Sequence, residues 1–136
     1  MFVDQLDSAS EFFRLTDVSF IGKERTMPFF ALQKAATTIV IPPGKEGNLV
    51  RQVHEDQKAH RVHCIFDRGV VSGDLVIRSN IRVSDYLVKQ QGFILLRRCR
   101  LRLGDLQDEF FMEETHPSIM VNAPRVFGFS EEDPFG

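Results

Sequence analysis

Tryptophan is absent from the sequence, tyrosine occurs once and cysteine twice. No apolar run approaches the roughly 18 residues of a membrane-spanning helix, so the chain is expected to stay out of membranes. The two cysteines, Cys64 and Cys99, each lie in an apolar stretch, which reads as buried free thiols in a reducing compartment and not as a disulfide framework. The first residues, MFVDQLDSASEFF, carry acids where a signal peptide would carry Lys or Arg. A cytoplasmic location is the expectation. The net charge of −2 supplies no global attraction for nucleic acid or an anionic membrane. Neither a GxSxG elbow, an HExxH helix, a phosphate loop nor a GxGxxG turn is present.

Phenylalanine is what the chain has in excess, with 13 copies in 136 residues. Its ring carries no polar handle, so these residues are expected in a core or an interface. One small domain cannot bury them all, and the surplus suggests self-association. Hydrophobic residues at 43% and charged residues at 26% are ordinary for a chain that buries a core. The length suits one domain, or one domain with a partial second unit.

Alternation and β-branched or aromatic content predict a mainly β protein of about eight short strands and one or two short helices. FFRLTDVSF, the Pro28–Leu32 segment and Thr37–Ile41 read as strands, with a polar turn at Gly22–Arg25. Residues 43–59 begin with Pro and Gly, continue polar, and read as a linker between a partial β unit at 1–42 and a complete unit at 60–131. In the second unit RVHCIF and VVSGDLVIRS flank a tight turn at Asp67–Gly69, and Gly73 inside the second strand marks a bulge or sharp bend. Ser84 or Asp85 is expected to cap a short helix running to Gln91. GFILLRRCRLRLGD reads as a long strand, followed by FFMEE, PSIMVN and RVFGFSEE as separate strands. Residues 132–136 read as a frayed tail.

The chain echoes itself. Shifted by 81 residues, Asp4, Leu6, Phe12 and Leu15 fall on Asp85, Leu87, Phe93 and Leu96. After an insertion, PFFALQKAATTIVI falls on PSIMVNAPRVFGFS in the same order of apolar and polar segments. The first unit is thus expected to be a truncated repeat that lacks the two opening strands of the second. Its exposed sheet edges should pair with the second unit or with another copy, which favours a homodimer.

The second unit, in RVHCIFDRGVVSGDLVIRSNIRVSDYL followed by GFILLRRCRL and PSIMVNAPRVFGF, resembles a family of uncharacterised bacterial domains. That resemblance implies a small five-stranded barrel of the Sm-like or SH3-like type and brings no assigned activity. Sm-like proteins hold RNA with an Asp-x-x-x-Asn-like loop and an Arg-Gly pair before the last strand. Here the loop reads SDYLVKQQG, and Asn122-Ala123 stands at the Arg-Gly position. The barrel can be shared where the binding surface is not.

Candidate chemistry is sparse. His60, His63 and Cys64, with His54 upstream, look like metal ligands by type, but His63 and Cys64 point to opposite faces of a strand and cannot share an ion without a bulge. His116 is distant in sequence. Cys64 and Cys99 read as core thiols, not activated nucleophiles. Asp4 and Asp85, the acid repeated in both units, read as helix caps. Arg98, Arg100 and Arg102, with Arg97 beside them, form an arginine stripe spaced to track phosphates (~7 Å between alternate residues). Pairing with Glu109, Glu113 and Glu114 across strands is the competing expectation, and the face lacks the interleaved aromatics of a single-strand binder. The sequence therefore points to a non-enzymatic interaction module that self-associates and binds an unidentified protein partner. It needs no cofactor or metal, and RNA binding through the arginine strand is the alternative.

Overall fold

A computed structural model of the protein describes residues 10–43, 54–104 and 110–135. These fold into two antiparallel sheets and one α-helix, in the order β1 (Phe12–Ser19), β2 (Thr26–Gln33), β3 (Ile39–Val40), β4 (Gln57–Phe66), β5 (Gly69–Arg78), α1 (Val83–Val88), β6 (Phe93–Gly104), β7 (Phe110–Asn122) and β8 (Gly128–Ser130). The mainly β class follows from the alternation in the sequence. β1 and β2 form a hairpin of their own; the other six strands form a sheet ordered β3-β7-β6-β5-β4-β8.

The six-stranded sheet is open, and this corrects the expectation of a closed barrel. Its edges are β3 and β8, and the free side of β7, where a closing strand would sit, is taken by Ile39 and Val40 of β3. One side of the sheet buries Val62, Cys64, Phe66, Val71, Leu75, Leu96, Cys99, Leu101 and Ile119. α1 covers this layer with Val83 and Leu87, which fall on one helix face at i and i+4. Burying each such aliphatic side chain stabilises the fold by about 1.5–3 kcal/mol. The core is aliphatic; of the phenylalanines whose side chains are described, only Phe13 and Phe66 are buried, while Phe12, Phe20, Phe29, Phe127 and Phe135 are exposed.

Several local expectations hold. Asp67 and Arg68 form a two-residue loop between paired Phe66 and Gly69. A Cβ on Gly69 would lie 1.9 Å from the carbonyl oxygen of Arg102, so only glycine admits β6 at this distance. The ladder between β5 and β6 shifts between Ser72 and Asp74, the bulge expected at Gly73. In the β1–β2 turn, Lys23 donates its N–H to Phe20 at 3.0 Å while Gly22 takes φ +81°.

Others are corrected. α1 ends at Val88, and Arg82 precedes it without a side-chain cap, so neither Ser84 nor Asp85 caps the helix. Asp4 lies outside the described residues. β4 begins at Gln57, inside the segment read as a linker, since Gln57 to His60 pair with Arg78 to Leu75 of β5. FFMEE and PSIMVN are one strand, β7, which runs through Pro117. Proline has no N–H to give the ladder, and the residue facing it, Arg98, adopts φ +50°. The hairpin has the same device, with Asp17 at φ +53° facing Pro28.

Candidate functional site

The side of the sheet opposite the aliphatic core is polar, and the arginine stripe lies there. β4 contributes Arg61 and His63, β5 contributes Ser72 and Asp74, β6 contributes Arg98, Arg100 and Arg102, and β7 contributes Glu113. Arg61 faces Asp74 and His63 faces Ser72 across the β4–β5 ladder, so the alternation that buries Val62 and Cys64 places these four together.

The candidates do not form one continuous basic surface. Arg98 is exposed (81% for its side chain), yet its Nε donates to Asp74 Oδ2 at 2.6 Å. Asp74 also accepts from Arg61 Nη1 at 3.3 Å, and the same nitrogen donates to the main-chain oxygen of Arg98 at 2.7 Å. This clamp holds the positive-φ turn of β6 against β4. Arg100 Nε donates to Glu113 Oε1 at 2.5 Å; that bond holds the Glu113 carboxyl below its usual range and raises Arg100. Arg97 faces Ser118 in the β6–β7 ladder and is half-buried. The cross-strand pairing weighed in the sequence is thus present at Glu113. Glu114 pairs instead with His116 at 2.9 Å, and Glu109 lies outside the described residues.

Arg102 differs from the rest of the stripe. It is buried, at 3% exposure, and its guanidinium sits over the Phe110 ring at 5.3 Å. Its Nη2 donates to both carboxylate oxygens of Asp133 at 3.0 Å and lies 3.4 Å from the Ser72 hydroxyl. His63 Nδ1 lies 2.6 Å from that hydroxyl. Arginine has donors only, so Ser72 accepts from it; the hydroxyl keeps a second lone pair and its proton, so the contact with Nδ1 fits either tautomer of the His63 ring. Burial lowers the His63 pKa from its ordinary value; Asp133 opposes this while Arg102 and Arg61 reinforce it. Burial pushes the Asp133 carboxyl up, but the Phe135 N–H and Arg102 outweigh it and hold the group below its usual value.

Asp133 and Phe135 are therefore tied down, where a frayed tail was expected. Asp133 reaches Arg102, the Phe135 N–H donates to Asp133 Oδ1 at 2.9 Å, and the Phe135 ring meets Phe110 edge-on at 5.5 Å. Nothing local in EEDPFG announces this, because its partners lie on distant strands. Ser72 and Asp74 were legible in principle, since VSGD alternates polar residues within an apolar strand.

Ser72 and His63 have the types of a nucleophile and its base. The hydroxyl is buried, and Arg102 draws on its lone pairs, which opposes its use as a nucleophile. The metal-like residues separate: Cys64 is in the aliphatic core while His63 is on the polar side. Among the described residues no group of three or more His, Cys, Asp or Glu side chains could hold an ion. Burial, with Cys99 nearby, pushes the Cys64 thiol up to about 12, and burial also raises Cys99 to about 12.

A second feature is the hairpin. β1 and β2 pair only with each other among the described strands. Phe13 anchors the hairpin base against Phe93, with ring centroids 5.8 Å apart. Away from the base, Phe20, Ile21 and Phe29 are exposed, Ile21 completely so at 106%. Among the described residues no helix is long and apolar enough to cross a membrane. Compared with family models, with curated proteins and with solved structures, the chain matches none.

Proposed function

We propose that the protein is a non-enzymatic interaction module that self-associates as a homodimer through the outer edge of β1. The observation that carries this reading is a strand pair standing apart from the main sheet with exposed apolar side chains. A two-stranded hairpin is marginal in water by itself, and an open edge recruits another strand.

The occupant is argued from the duplication, which belongs to the same proposal. Arg98 follows Asp17 by 81 residues, and both adopt positive φ opposite a proline. Pro117 follows Pro28 by 89 residues, and at that spacing the short 3-10 turn Lys34–Ala36 corresponds to Ala123–Arg125, and β3 to β8. β1 and β2 thus correspond to β6 and β7. Among the described strands β6 is flanked by β5 and β7, whereas β1 is flanked by β2 alone. The strand equivalent to β5 is one of the two opening strands the first unit lacks, and β1 of a second copy, running antiparallel about a two-fold axis, supplies it. An Sm-like ancestry of the β4–β8 unit and a reducing, cytoplasmic setting fit this reading, the latter because both cysteines are buried free thiols.

Sedimentation velocity on the full chain tests the proposal. The expected result is a dimer that becomes monomeric in Ile21→Asp with Phe29→Asp, with an unchanged circular dichroism spectrum. A pure monomer for the unaltered chain at high concentration overturns it. RNA binding by the arginine strand is the second reading, supported by the exposure of Arg98. A salt-dependent shift of labelled RNA, abolished by Arg98→Glu with Arg100→Glu, would replace the first reading with the second.

A further inference from the structure

A guanidinium removed from water requires an anion, and a planar fork of two nitrogens is its preferred grip. Arg102 is buried, but its anion comes from the C-terminal segment and is held by one nitrogen. Among the described residues its buried Nε has no hydrogen-bond partner. Ser72 adjoins the same guanidinium, His63 contacts Ser72, and Phe110 forms a ring wall beside Arg102. A guanidinium fork beside a hydroxyl that an imidazole contacts in turn makes an oxyanion site, and the carboxylate in it belongs to the chain's own tail.

We propose that Arg102, with Ser72 and His63, binds the phosphate group of a small phosphorylated molecule, and that Asp133 occupies this site in cis. A phosphate monoester has an oxygen for Nη2, one for Nε and one for a hydroxyl, where the carboxylate engages Nη2 alone. The tethered carboxylate acts at millimolar effective concentration, so the external ligand must displace it. Displacement frees the segment that Asp133 and Phe135 now hold against Phe110. Ligand binding and release of the tail are therefore one equilibrium. The site is on the β4–β5–β6 face and not on β1, so it stands or falls independently of the dimer.

The test is anion rescue of Asp133→Asn in the full chain, read by thermal unfolding with inorganic phosphate against chloride at matched ionic strength. The variant is expected to unfold at lower temperature than the unaltered protein and to regain stability saturably with phosphate. Its apparent phosphate affinity should be roughly tenfold tighter than that of the unaltered protein, where Asp133 competes. Adding Arg102→Gln should abolish the phosphate-specific gain. A gain equal to that of the unaltered protein, or one that survives Arg102→Gln, overturns the proposal. Rescue by a single-stranded oligonucleotide but not by inorganic phosphate also overturns it, in favour of nucleic acid. If Asp133→Asn does not fold, the unaltered chain decides by NMR. The Phe135 amide and His63 ring signals should move saturably with phosphate, and signals that stay put overturn the proposal.

Discussion

The side-chain amide of Asn122, the last residue of β7, donates to the main-chain oxygens of Lys34 at 3.2 Å and Thr37 at 2.8 Å. Its backbone N–H donates to Thr38 at 2.8 Å. One buried residue of the six-stranded sheet thus satisfies three carbonyls of the segment that joins the hairpin to β3. This explains why a two-residue strand such as β3 holds its place at the edge of β7.

Asn122→Asp is therefore expected to loosen β3 specifically. The carboxylate would face two carbonyl oxygens with no hydrogen to offer. Its cost should exceed that of Asn122→Ala, which is about 1–3 kcal/mol for the carbonyls left unsatisfied. Urea unfolding reads the global cost. Hydrogen exchange should show faster opening of the Val40 amide while β5 and β6 stay protected, and uniform loss of protection would contradict the assignment.

Two glycines should rank by what a methyl group would meet. At Gly69 an added Cβ lies 1.9 Å from the Arg102 carbonyl oxygen, which is backbone and cannot retract. At Gly73 it lies 2.8 Å from the Leu96 Cβ and 3.0 Å from the Cys99 Sγ. Gly73→Ala is expected to cost about 1–3 kcal/mol as overpacking, and Gly69→Ala more. Cys99→Ala in the Gly73→Ala background should recover part of the loss, a coupling that urea unfolding of the four proteins measures. Additive single effects would mean that the thiol is not the obstacle.

These glycines also mark where the sequence was legible. A glycine inside VVSGDLVIRS signals a bulge because the cause is local, and the alternation of Val62, Cys64 and Phe66 against Arg61 and His63 gives strand and buried face together. The stripe Arg98, Arg100 and Arg102 was legible as one face, but the fate of each side chain was not. Arg102 is buried because Asp133, 31 residues later, folds back over it. Arg98 turns out of line because Pro117 faces it. Both causes are long-range, and so is the placement of β3 on β7, which leaves the sheet open. The phenylalanines misdirect in another way, since ring size predicts burial and the sheet had already filled its core with aliphatic side chains.

Mild acid should weaken the polar side of the sheet in two stages. His63, faced by Ser72, Arg102, Arg61 and Asp133, has a lowered pKa in the fold, so the unfolded chain takes up the proton first. The stability from keeping His63 neutral is complete above the ordinary value of 6.5 and falls as the pH drops below it. Asp133 is also lowered, so its contribution is complete above 3.8 and is lost as the pH falls through its folded value. Urea midpoints between pH 7 and pH 5 should fall for the unaltered protein and fall less for His63→Gln. Parallel curves for the two proteins would remove His63 from the account.

Alkali should act on the other side of the sheet. Cys64 and Cys99 are raised from 9.0 to about 12. In each case the unfolded chain loses its proton first, so stability is level below pH 9 and falls as the pH rises toward 12. By pH 10 each thiol should cost about 1.4 kcal/mol. Cys64→Ala with Cys99→Ala starts from a lower stability, because two small cavities replace the sulfurs, but should lose less between pH 8 and pH 10. Tyr86 and the lysines are common to both proteins, so the difference in slope isolates the thiols. The same burial predicts that a thiol-alkylating reagent at pH 8 labels neither cysteine until urea unfolds the chain. Rapid labelling of the native protein would mean that the aliphatic layer opens easily, and the alkaline slope should then be shallow as well.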